Sequence, residues 1–70
     1  MYVLHITQYG MTLKEMTARE LREAHQVDRF AYRPVSAQQA RNFVRWGGHH
    51  ETGLWVDGDK VRYAKPERAA

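Results

Sequence analysis

Residues 36–63 leave little conformational choice. Ser36 and Gln39 make a capping box: the serine oxygen can accept from the Gln39 amide while the glutamine returns a bond to the cap's own N–H. Ala37, Ala40, Phe43 and Val44 then recur at helical spacing. Gln38, Arg41, Asn42 and Arg45 fall on the opposite side, and Gly47-Gly48 supplies the stop. The stretch GLWVDGDKVRY that follows alternates around a two-residue turn, Asp57-Gly58 or Gly58-Asp59, either of which matches strand twist. In both registers Leu54, Val56, Val61 and Tyr63 share one face, while Trp55, Lys60 and Arg62 share the other. A helix followed by a β-hairpin is the reading these residues support.

Upstream, Tyr2, Leu4 and Ile6 alternate with Val3, His5 and Thr7, which argues for a strand closed by Gly10. Two overlapping helix starts come next, Thr12 with Glu15 and Thr17 with Glu20. They predict helix across most of 12–26, either from Thr12 or as a turn leading into a helix from Thr17. Its apolar side would be Leu13, Met16, Leu21 and Ala24. Asp28 to Val35 shows no clear period, although Pro34 pushes Arg33 toward an extended conformation.

Seventy residues make one domain, 1–70, with the charged tail 66–70 expected to be disordered. A chain this size buries only ~60% of the surface its unfolded form exposes. It has no cysteine to supply a staple. Packing of Phe30, Phe43, Trp46 and Trp55, a homodimer, or a partner would have to compensate. No apolar run reaches membrane-spanning length and no signal-peptide pattern is present, so a cytoplasmic product with no membrane role is the default expectation.

The charge balance is +3, too modest to demand a nucleic acid but compatible with one. Its distribution is more telling. No acid lies between Arg29 and His50, whereas Arg29, Arg33, Arg41 and Arg45 all do, interleaved with Phe30, Tyr32 and Phe43. Arginine can bond guanine, and asparagine or glutamine can bond adenine, through paired groups. Gln38, Arg41, Asn42 and Arg45 would present all three residue types on one helix face, with Arg33, Lys60 and Arg62 approaching phosphates. That reading requires the ridge over 37–46 to turn free guanidinium and amide groups outward. Exposed aromatics such as Trp55 and Tyr9 would instead suit a protein interface.

Metal and catalytic readings have little support. His49, His50 and Glu51 lie together, but structural zinc needs four ligands, usually with cysteine. There is no cysteine nucleophile, glycine-rich phosphate cradle or convincing carboxylate pair, so no cofactor, metal or enzymatic activity is expected.

The segment RPVSAQQARNFVRW followed by VDGDKVRY resembles the winged-helix excisionases of phages and MerR-like regulators. The resemblance implies Ser36 as cap, Arg41 and Asn42 toward the groove, Phe43-Val44 inward, Arg45 toward phosphate, and Gly58 in the wing's turn. GLWVDGDKVRYAKPE also looks like the hairpin of the N-terminal docking domains of nonribosomal peptide synthetases. As a class, small cysteine-free domains with patchy charge resemble phage-encoded inhibitors, including anti-CRISPR proteins, which bind a host protein complex. The resulting expectation is an α+β domain in β-α-α-β-β order, winged-helix-like, its two helices packed on a small antiparallel sheet that the N-terminal strand is free to join. DNA is the leading expected partner and a host protein complex the alternative.

Overall fold

The structure, a computed structural model, describes residues 1–64. The tail expected to be disordered lies outside the described residues. Strands β1 (Tyr2–Thr7) and β2 (Gly10–Glu15) form an antiparallel hairpin, with Leu4 opposite Leu13 and Thr7 opposite Gly10. Thr12 is therefore a strand residue and not a helix start. Its capping box is a local option that loses to a ladder in which Leu13 becomes fully buried. The Thr12 hydroxyl lies 3.3 Å from Nδ1 of His49 instead. The second box is the one used. Thr17 Oγ1 accepts from the Glu20 amide, Glu20 Oε1 accepts from the Thr17 amide, both at 3.1 Å, and α1 (Ala18–Val27) follows.

The aperiodic stretch before Ser36 contains a further strand, β3 (Tyr32–Val35), antiparallel to β1. Helix α2 (Ala37–Arg45) starts at Ser36, whose Oγ accepts from the Gln39 amide at 3.1 Å. The histidine segment forms a two-residue strand, β4 (His49–His50), parallel to β2. The four-stranded sheet thus runs β3-β1-β2-β4. Strands β5 (Leu54–Asp57) and β6 (Lys60–Tyr63) form a separate antiparallel pair. Asp57 faces Lys60, so Gly58-Asp59 is the turn. Gly58 has φ +61° and, among the described residues, no non-glycine residue has a positive φ, which selects a type II′ turn.

The α+β class with two helices and a C-terminal hairpin is as expected from the sequence. The first strand, however, pairs with β2 and β3, and not with the hairpin. Helix α1 crosses from β2 to β3 and α2 crosses back from β3 to β4. Right-handed crossovers in opposite directions place the two helices on opposite faces of the sheet. The buried residues agree. On one face, Tyr2, Leu4, Leu13 and Val35 pack with Ala40, Phe43 and Val44 of α2 and with Leu54, Val61 and Tyr63 of the hairpin. Val3 points to the other face and is fully buried, which leaves it to α1, whose buried residue is Leu21.

Both edges of the main sheet are blunted. Ile6 donates to the Ala31 carbonyl at 2.7 Å, so in the alternating ladder Tyr32 and Pro34 turn their backbone groups outward. Pro34 has no N–H to offer, and His25 Nε2 lies 2.8 Å from the Tyr32 carbonyl, to which it must donate. At the other edge, β4 covers β2 and is itself only two residues long.

Candidate functional site

The arginines expected to line a groove are engaged within the domain. Arg41 Nη1 donates to the Asp59 carbonyl at 3.3 Å and lies 3.6 Å from Asp59 Oδ1; its side chain is only 20% exposed. Arg41 Nε is buried without a partner among the described residues. One helical turn on, Arg45 Nη2 donates to the Gly58 carbonyl at 2.6 Å. Asn42 is half-buried, and Gln38 alone of that ridge is exposed without such a tie. The free ridge is corrected to a strut. Its cause is the hairpin's type II′ turn, which folds back over α2 and aims carbonyl groups at the guanidiniums.

On the hairpin, Trp55 and Arg62 are directly opposite, as are Asp57 and Lys60. Arg62 gives its Nε to Asp57 Oδ2 at 2.9 Å, so its charge is spent on the turn acid and not on the Trp55 ring. Lys60 is exposed. Trp55 is 45% exposed and lines a groove with Tyr2, Glu15 and Tyr63. Arg33, also exposed, lies on β3 opposite Leu4.

A different surface emerges from the topology. Strand β1 ends, and β2, β3 and β4 begin, at one end of the sheet; both helices finish there. The β1–β2 turn, the α1–β3 connection and the α2–β4 connection therefore share that end of the sheet. Most of the exposed large apolar side chains lie at this end: Tyr9 (91% exposed), Val27 (89%), Phe30 (87%) and Trp46 (83%), with Ile6 and Met11 paired beside them and partly exposed. Phe30 and Trp46, expected in the core, are thus surface residues. The causes are local. Asp28 Oδ1 accepts from the Phe30 amide at 3.0 Å, an Asx turn that holds the aromatic on a loop. Trp46 is the C-cap of α2, beyond the stripe that reaches the core. An aromatic beside Asp28 in an aperiodic stretch, and another directly before a glycine pair, were the available sequence signals.

Large aromatic side chains left this exposed are the kind that dominate protein interfaces once covered. Among the described residues, no group of three or more His, Asp or Glu side chains is placed to hold a metal, and no helix is long and apolar enough to cross a membrane. Searches of known protein families, curated proteins and solved structures find no match to this chain.

Proposed function

We propose that this chain is a protein-recognition module that docks its apolar end onto another protein, in the manner of small inhibitors of larger complexes. The observation that carries the reading is that Tyr9, Val27, Phe30 and Trp46, each at least 83% exposed, all lie in or beside the connections at one end of the sheet. Full burial of one such large side chain contributes ~1.5–3 kcal/mol, and aromatic anchors of this kind dominate interface energetics. DNA binding by α2, with the hairpin as wing, is disfavoured by the engagement of Arg41 and Arg45 with the hairpin turn.

The test compares the intact chain with Trp46→Ala and Phe30→Ala. Partners captured from bacterial lysate are identified, purified and re-mixed. The expected result is a stoichiometric complex that weakens at least tenfold with either variant, while thermal melts of the free proteins coincide. Salt-sensitive binding of mixed-sequence duplexes, abolished by Arg41→Ala and not by Trp46→Ala, would overturn the reading.

A further inference from the structure

Resting on that protein-recognition reading, we infer that a pocket at the outer edge of β3 receives an acidic segment of the partner. Arg29 and Arg33 would bind its carboxylates and Phe30 would cover its apolar side chain. The pocket is an open concavity of about 370 Å³, also bordered by His25, Tyr32 and Pro34. Arg29 and Arg33 are exposed and have no carboxylate partner among the described residues, unlike Arg19, Arg41 and Arg62. The adjacent acid, Asp28, accepts from the Phe30 amide through Oδ1 and forms no ion pair with either arginine. A guanidinium can grip a carboxylate through two parallel hydrogen bonds.

The occupant does not enter as an added strand, because Pro34 lacks an N–H and the Tyr32 carbonyl is taken by His25. A second copy fits poorly. A two-fold contact here would bring like-charged arginines together, and Glu23, Asp57 and Asp59 are already paired within their own chain. A nucleic acid fits less well than a peptide. The Tyr32 ring is already stacked on His5 at 4.4 Å, and Ile6, which also lines the pocket, offers nothing to phosphates.

The experiment pans a random dodecapeptide display library on the intact chain, then measures affinities of the selected peptides. Enrichment of Asp or Glu beside Leu, Phe or Trp is expected. Binding should fall roughly tenfold or more with Arg33→Glu and with Arg29→Glu, and less with Arg33→Lys, which keeps the charge but not the paired hydrogen bonds. Selected peptides without acids, or binding lost in Trp46→Ala yet indifferent to both charge reversals, would overturn the pocket and leave protein recognition standing. Salt-sensitive binding of oligothymidylate that Arg33→Glu abolishes would overturn the acidic-peptide assignment in favour of a nucleic acid. Absence of both selected peptides and any Trp46-dependent complex would overturn the two readings together.

Discussion

Arg41 holds Asp59 at two points, the backbone carbonyl at 3.3 Å and the carboxylate at 3.6 Å, so the tip of the hairpin is tied to the middle of α2. With Arg45 on the Gly58 carbonyl at 2.6 Å, the helix grips both turn residues. A side chain that looks like a ligand for an external partner is here an internal brace, and its removal should register first in the hairpin.

The brace combines packing and polarity, which two substitutions separate. Arg41→Ala removes the buried aliphatic stem as well as the hydrogen bond and should destabilise by about 1–3 kcal/mol. Arg41→Met keeps most of the stem and eliminates the buried, unpartnered Nε, so it should cost less than ~1 kcal/mol. Urea unfolding measures both. Amide exchange over 54–63 should quicken more in the alanine variant.

The two threonine boxes make opposite predictions. Thr17→Ala deletes the working cap of α1 and should cost about 1 kcal/mol. Thr12→Val suits a strand and forfeits only a long contact to His49, so the change should stay within ~0.5 kcal/mol. Equal losses in thermal denaturation would contradict the assignment of Thr12 to β2.

Gly48 lies where α2 hands over to β4. A Cβ there would meet the Phe43 ring at 2.5 Å and the Phe43 carbonyl at 2.6 Å, and Phe43 packs against the core cluster. Gly48→Ala should therefore destabilise by roughly 1–3 kcal/mol through overpacking. Gly47→Ala meets no neighbour but is strained by its φ of +82°. The two variants should differ in how much a Phe43→Leu background relieves them, because only the first has a clash to relieve.

The exposed flank of β3 is kept from pairing by two residues. Pro34→Thr supplies the missing outward N–H, and His25→Ala uncovers the Tyr32 carbonyl. Sedimentation should show the double variant associating at concentrations where the parent does not. Persistence of the parent's sedimentation behaviour would mean that other features guard this flank.

The residues spoke clearly where a local pattern agreed with the tertiary demand. The helix from Ser36, the inward face of the hairpin and the first strand all follow from period and caps. They spoke ambiguously at Thr12, where a capping box and a strand alternation overlap. Only the need of β1 for a neighbour decides between them. Strand β4 has two residues, too few for any period to register, and it exists because β2 offers it an edge. The basic ridge of α2 was legible as composition. The carbonyls that capture it come from the Gly58-Asp59 turn, distant in sequence from Arg41 and Arg45, and no spacing rule reports them.

Among the described residues no strand of the hairpin pairs with the main sheet; the Tyr2 hydroxyl donates to the Val61 carbonyl at 2.9 Å, the Leu54 amide donates to the Glu51 carbonyl beside β4 at 3.4 Å, and the two arginines tie the turn to α2. The hairpin is consequently joined to the rest of the domain chiefly through side chains, with Leu54, Val61 and Tyr63 in the shared core. Its outer face, carrying Trp55 and Arg62, can be rewritten by mutation without re-registering a single rung of the ladder beneath.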